Sequence, residues 1–415
     1  MQSAIRVALR RGNMGSATFA RHTCRRFAQR LRPLVLVGAL AFVCQPKAVA
    51  VLLLGTGDPA ANTNAPTGDL AGSGWQYQGR FGDFMGTAIA PSFFITAKHV
   101  GWAGPVFTFH GVDYDVVERF DDRWTDLTIW RVSGILPTFA PLYPREDEAG
   151  QHLVVIGRGS ERGSDVLKEG VLRGWTWGAQ THLQRWGENA VSRIAYAGTE
   201  KQFLYAAFDA AGGPNEAHLS AGDSGGAVFL NDGGTWKLAG INSAVDGPFY
   251  AAETRESRFD GALTDVNGFY ASNDGGRSFY PYASAAPRPS GFFAARISSR
   301  RQWIYSVVDP AGDLDRDGIS NLLEYAFDLA PEQPDAGGLP QFSIENGAPT
   351  LIYRQMTTAR ELRYTVEKST DLRTWEPANA EEESIDWVDY LETFKVTLPA
   401  ASSGRVSLRV VVTKQ

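Results

Sequence analysis

The run Gly222-Asp223-Ser224-Gly225-Gly226 sets a serine hydroxyl between glycines, behind a carboxylate and ahead of the apolar stretch Ala227-Val228-Phe229-Leu230. A serine hydroxyl is a poor nucleophile at neutral pH and attacks an acyl carbon only when a base takes its proton. It also needs backbone N–H groups aimed at the oxygen that becomes charged. Glycines on either side let the backbone turn tightly and come close to a substrate carbonyl. The candidate base is His99, which ends the segment Phe93-Phe94-Ile95-Thr96-Ala97-Lys98. The candidate orienting carboxylate is Asp126, at the head of the alternating stretch Leu127-Thr128-Ile129-Trp130-Arg131-Val132. In such a set the imidazole accepts the serine proton, and the aspartate holds its tautomer and stabilises the imidazolium. Asp121 and Asp122 lie just upstream and compete for the orienting role; otherwise they are solvated loop acids. Taken alone, a Gly-Asp-Ser-Gly run is also ordinary turn composition.

Taken in order, these segments resemble the trypsin-like, chymotrypsin-fold serine peptidases. Thr96-Ala97-Lys98-His99 is similar to that family's Thr-Ala-Ala-His motif, with lysine for the second alanine. Asp126-Leu127-Thr128-Ile129 resembles its Asp-Ile-Ala-Leu segment, and residues 222–226 match its nucleophile motif. Gly86-Thr87-Ala88-Ile89-Ala90-Pro91, Leu238-Ala239-Gly240-Ile241-Asn242-Ser243 and Arg296-Ile297-Ser298 through Trp303-Ile304 resemble further strands and the closing helix. The resemblance covers roughly residues 51–308. It implies an all-β fold of two six-stranded barrels, with His99 and Asp126 on the first and Ser224 on the second. It implies an oxyanion hole made by the backbone N–H groups of Gly222 and Ser224. It places His218 at the base of the primary pocket, Val245 near its rim, and Ser243 on the strand whose backbone pairs with the bound peptide. A preference for Lys or Arg would lack its usual carboxylate there, and Val245 would favour small apolar side chains. In many family members the residue matching Asp223 pairs with a freshly cut N-terminal amine. No Ile-Val-Gly-Gly activation sequence is present, so the partner of Asp223 stays open.

The first 50 residues read as a separate piece. They hold eight arginines and Lys47 and no acid, followed by the apolar run Leu34–Val43 and by Ala48-Val49-Ala50. This is the pattern of an export signal cleaved near Ala50, with Met14 as a second possible start. An uncleaved anchor is the competing reading, although the apolar run is short for a bilayer span. The expected location is secreted, periplasmic or at the cell surface, in a bacterium. Both cysteines, Cys24 and Cys44, fall in this leader, so the mature protein would carry no disulfide. Without the leader, 31 basic residues face 46 acidic ones, a net charge of −15. That balance favours solubility and argues against nucleic-acid binding.

Short apolar runs separated by turn residues, such as Val106–Phe109, Leu153–Ile156 and Phe203–Phe208, predict β structure to about residue 245. Residues 51–74 read as an irregular arm. Residues 245–295 form a long aromatic and glycine-rich insertion, either bordering the substrate cleft or a surface excursion.

In Asp313-Leu314-Asp315-Arg316-Asp317-Gly318-Ile319-Ser320-Asn321-Leu322-Leu323-Glu324, oxygen ligands fall at positions 1, 3, 5, 9 and 12, with glycine at 6. That spacing is a calcium loop, with the Ile319 carbonyl as a further ligand. The competing reading is an acidic turn capping the helix that follows. The segment, residues 309–331, resembles the single calcium loops of dockerins and thrombospondin type 3 repeats. Residues 332–415 form a small β domain, expected to be a sandwich serving surface or matrix attachment, or export and stability.

The expected function is a secreted, monomeric serine endopeptidase that acts on protein or peptide substrates without a catalytic cofactor and carries structural calcium. The rivals are a non-catalytic binding module on the same fold and a calcium-stabilised adhesion protein.

Overall fold

Six strands with inward apolar residues close into a barrel: β1 (Gln78–Phe81), β2 (Phe84–Ala90), β3 (Phe93–Ala97), β4 (Val106–Phe109), β5 (Val112–Asp121) and β6 (Leu127–Val132). They are ordered β1-β2-β3-β6-β5-β4, and pairing of β1 with β4 closes the ring. Phe81, Phe94, Phe107, Phe109 and Trp130 fill it. Each such ring contributes about 1.5–3 kcal/mol by leaving water. The computed structural model describes residues 51–180, 182–198, 201–335, 337–357, 359–399 and 405–414. The expected leader and both cysteines lie outside them. Among the described residues, no helix is long and apolar enough to cross a membrane.

The second half contributes β7 (His152–Gly157), β8 (Ser160–Lys168), β9 (Val171–Gln180), β10 (Arg185–Ala190), β11 (Arg193–Ala197), β12 (Lys201–Ala207), β13 (Ala227–Asp232) and β14 (Thr235–Val245). Strands β15 (Gly261–Leu263) and β16 (Gly291–Arg296) follow. Seven of these form one sheet in the order β10-β7-β13-β14-β16-β12-β11. Its middle strands are buried on both faces, which is why they read as unbroken apolar runs. Leu153, Val155, Val228 and Leu230 enter one core, while Val154, Ile156, Ala227 and Phe229 enter the other. The architecture is all-β and chymotrypsin-like, but these seven strands make a sheet rather than a second six-stranded ring. The reason is local: the β8–β9 hairpin turns aside to pair with β15.

The insertion after Val245 is a folded unit and not a loose loop. Four two-residue strands within it form a sheet over Phe249, Leu263, Val266 and Phe269. It also holds β9: Thr176 pairs with Gly261, and Trp177 N–H donates to the Asp260 carbonyl at 3.0 Å. The expected irregular arm is partly wrong as well. Leu52 and Leu53 pair with His218 and Ala217, and Val51, Leu52 and Leu53 are buried.

Helix α1 (Arg301–Val308) ends five residues before Asp313, and helix α2 (Asn321–Phe327) follows the acidic loop. The tail comprises β17 (Gln341–Glu345), β18 (Ala348–Met356), β19 (Leu362–Ser369), β20 (Glu376–Pro377), β21 (Glu382–Val388), β22 (Leu391–Thr397) and β23 (Ser407–Lys414). It forms two sheets, β17-β18-β22-β21 and β20-β19-β23. One hydrophobic core runs from Met85 and Ile129 through Trp303 and Ile304 to Tyr325, Phe327, Leu351 and Val396.

Candidate active site

His99 sits in the single turn after β3, and Asp126 immediately precedes β6, the strand that pairs with β3. This register brings the two residues side by side. The Asp126 carbonyl accepts from Lys98 N–H, and Asp126 Oδ1 accepts from His99 N–H, both at 2.9 Å. His99 Nδ1 meets Asp126 Oδ2 at 2.6 Å, and His99 Nε2 lies 2.8 Å from Ser224 Oγ. The network assigns the tautomer: Nδ1–H donates to the carboxylate, and Nε2 is left to accept from the serine hydroxyl. Ser243 Oγ donates to Asp126 Oδ2 at 2.5 Å. Burial alone would raise the Asp126 carboxyl, but hydrogen bonds from His99 and Ser243 outweigh it and hold the carboxyl below its usual range.

The two competing acids have other partners. Asp121 accepts from Arg119 and Thr128. Asp122 is almost fully buried and takes a two-point contact from Arg300, at 2.7 Å to each oxygen, and a hydrogen bond from Thr125. The Asp122 carbonyl accepts from Lys98 Nζ, so the lysine that departs from the family motif ties the histidine turn to this loop.

Ser224 stands on a turn that only glycine permits at two points. Gly222 has φ 95°, and a side chain there would press on the Gly159 Cα. Gly225 has φ 78°, and a Cβ would strike Thr96 Oγ1 and the Met85 carbonyl. The turn is closed by Asp223 N–H to the Ser220 carbonyl and by Gly226 N–H to the Asp223 carbonyl. Among the described residues, the N–H groups of Gly222 and Ser224 donate to no protein acceptor. They are available to an oxyanion.

Asp223 points inward, away from Ser224. Its carboxylate accepts from Gly159 N–H at 2.7 Å, from Ser220 N–H at 2.8 Å and from Ser220 Oγ at 2.9 Å. It also accepts from the backbone N–H of Val51. Burial pushes its pKa up to about 6 despite these donors. Val51 has φ 51°, a left-handed conformation that a β-branched residue rarely adopts.

A cavity of about 160 Å³ opens beside Ser224, lined in part by Trp177, Leu219, Ala221, Ser243, Ala244 and Val245. Ser243 and Val245 line this cavity, and His218, expected at the base of the pocket, does not. Pairing with Leu52 draws His218 into a separate two-stranded sheet, leaving Leu219, Ser220 and Ala221 to line the cavity. The His218 ring is fully buried, edge-on to Phe208 and Phe292, between the Leu219 carbonyl and Ser290 Oγ. Burial drives its pKa down to about 4, so it is neutral. Trp177 was not legible in the sequence, because it arrives from a strand 47 positions upstream of Ser224.

In the acidic loop, carboxylate oxygens of Asp313, Asp315 and Asp317 lie within 4.8 Å of one another. Glu324 is 1 % exposed, and its Oε2, like Asp315 Oδ2, has no hydrogen-bond partner. Burial pushes Glu324 up to about 7, and Asp315, Asp317, Asp313 and Asp335 add to the shift. Asp313 and Asp317 accept from backbone N–H groups of the loop and of Asp335. A carboxylate cluster with two oxygens left without donors fits a hard cation that takes six to eight oxygen ligands. Asn321 gives its amide N–H to the Asp309 carbonyl, and its Oδ1 is also buried without a partner. The Ile319 side chain is buried, and its N–H donates to Asp317.

No family model matches the sequence, and no curated protein matches it. A solved structure titled as neuropsin, a serine protease expressed in the limbic system of mouse brain, is similar over 57 % of this chain and 96 % of that chain. The identity is 15 % and the TM-score 0.35. At that score the likeness adds nothing to what the side chains establish.

Proposed function

We propose that the protein is a serine endopeptidase. The observation that carries this reading is the hydrogen-bonded series Ser243–Asp126–His99–Ser224, next to two free backbone N–H groups. His99 Nε2 takes the Ser224 proton as Oγ attacks a peptide carbonyl. The N–H groups of Gly222 and Ser224 hold the oxygen that becomes negative. Asp126 stabilises the imidazolium, which then gives its proton to the leaving amine. Water hydrolyses the acyl-enzyme by the same route in reverse.

Two further elements belong to this reading. The protein is exported, and its leader is removed near Ala50. Calcium occupies the loop formed by Asp313, Asp315, Asp317 and Glu324, where it is structural.

Labelling of the full-length protein by a fluorophosphonate, together with casein hydrolysis, tests the reading. Wild type is expected to label and to cleave, and S224A to do neither. Equal labelling of both would place the nucleophile elsewhere, and a folded wild type inert to probe and casein would leave a binding module.

A further inference from the structure

The carboxylate that orients the base is mounted on a loop drawn in around a second carboxylate. Asp122 opens this loop and Leu127 closes it, with Asp122 N–H donating to the Leu127 carbonyl at 3.0 Å. Inside it, Trp124 N–H donates to Asp122 Oδ1 at 3.2 Å, and Thr125 Oγ donates to Asp122 Oδ2 at 2.5 Å. Asp126 is the next residue along. From outside, Arg300 Nε and Nη2 each reach one Asp122 oxygen at 2.7 Å. The Asp122 side chain is about 1 % exposed. A buried carboxylate with these donors and a cation in two-point contact is fixed in place.

His99 depends on its surroundings for position. It sits on a three-residue turn that ends at Gly101 with φ 65°, and its side chain is 45 % exposed. The described residues contain no cysteine, so no covalent bridge among them holds the turn. Lys98, beside His99, is held at both ends. Its N–H donates to the Asp126 carbonyl at 2.9 Å, and its ammonium donates to the Asp122 carbonyl. Among the described residues that ammonium pairs with no carboxylate. It makes a charge-assisted hydrogen bond whose two ends are the turn of the base and the loop of the orienting acid.

We propose that Lys98 and Asp122 are positioning residues of the triad. Asp122 shapes the loop that presents Asp126, and Lys98 couples that loop to His99. Both act through Asp126 and His99 and hold them at the contacts that proton transfer needs. The inference rests on the peptidase reading and adds two residues to its machinery. Asp122, which competes in the sequence for the orienting role, thus serves the same end one step removed.

The test uses the full-length protein and reads steady-state kinetics, the rate of fluorophosphonate labelling and the melting temperature. K98M removes the ammonium and leaves the Asp122–Arg300 contact intact. Its kcat and labelling rate should fall together, by roughly tenfold to a hundredfold, because small displacements of a catalytic group are expensive. KM should move by less than about twofold, the sign of a contact that serves the chemical step. The melting temperature should hold, and K98R, which keeps a donor, should recover most of the loss. T125V removes a donor to Asp122 at nearly constant shape and should also lower kcat. Combined with K98M its effect should fall short of the product, since both work through one loop. A K98M protein with the kcat of wild type overturns the proposal. So does a loss matched by loss of folded protein, or a defect confined to KM. Folded wild type that neither labels nor cleaves removes the peptidase reading itself, and this inference with it.

Discussion

Ser243 Oγ and His99 Nδ1 meet the same oxygen of Asp126, at 2.5 Å and 2.6 Å. Ser243 also lines the cavity beside Ser224. The pocket wall and the group that orients the base are therefore joined by a single hydrogen bond. Loss of Asp126 and loss of Ser243 should differ in degree. D126N offers an amide that favours the wrong imidazole tautomer, and kcat should fall roughly 10⁴-fold. S243A removes one of the donors to Asp126, and kcat should fall about tenfold, with S243T restoring most of it. Steady-state kinetics decides the matter: an S243A defect confined to KM would make Ser243 a pocket wall only.

The Arg300–Asp122 contact joins the start of α1 to the loop that carries Asp126. Asp122 is about 1 % exposed and Arg300 about 15 %, so an unpaired charge there could not be well solvated. R300M should lower unfolding free energy by about 3–5 kcal/mol, as read by denaturant titration. D122N in the same background should recover part of the loss, because it removes the stranded carboxylate. If R300M is as stable as wild type, the pair is not a structural tie.

Asp223 sets a pH dependence that turns on what Val51 presents to it. In the uncut protein the donor is an amide N–H, and the carboxyl is pushed up to about 6. An unfolded aspartate titrates near about 4. The folded state thus binds the proton more tightly, so stability is full below about pH 4 and declines as pH rises through about 6. A protein beginning at Val51 presents an ammonium instead, which favours the carboxylate and brings its pKa down. Melting temperatures of the two forms across pH 4–8 should diverge upward of about pH 4, with the shorter form higher. Glu216, also pushed up to about 7 by burial, is common to both and cancels in the difference. Cleavage also releases the left-handed φ of Val51, since a first residue has no preceding carbonyl to clash with. Parallel curves would show that the amine does not reach Asp223.

Calcium should raise the melting temperature of the full-length protein, and a chelator should lower it. At a hundredfold excess over Kd the gain is about 2.7 kcal/mol. E324Q should abolish most of the calcium response, since Glu324 brings a buried oxygen with no other partner. A melting curve indifferent to both calcium and chelator, with metal-free protein confirmed by elemental analysis, would leave the loop as a turn.

The convergence of His99, Asp126 and Ser224 was legible because His99 follows one strand and Asp126 precedes another, while glycines mark the turn that carries Ser224. Strand pairing then leaves little freedom in where His99 and Asp126 meet. The clustering of Asp313, Asp315 and Asp317 was legible from spacing alone, because alternate carboxylates around a glycine at the sixth position are turned toward one another. His218 was misplaced because counting back from Ser224 assumes an unbroken wall, whereas pairing with Leu52 pulls residues 217–218 out of it. Trp177 and the Arg300–Asp122 tie escaped notice for a different reason. Both depend on partners far apart in the sequence, and no local pattern announces them.

The core that passes from Trp303 through Phe327 to Leu351 and Val396 has a consequence for how this protein can be cut. A tail hung on a tether can be deleted or traded between enzymes without harm. Here Tyr325 and Phe327 are about 2 % exposed, and Tyr364 Oη donates to the Ala326 carbonyl at 2.7 Å. Severing the backbone at either side of α2 would bare oily surface on both fragments. The two regions therefore constrain each other's sequences, as the halves of a dimer do across their interface.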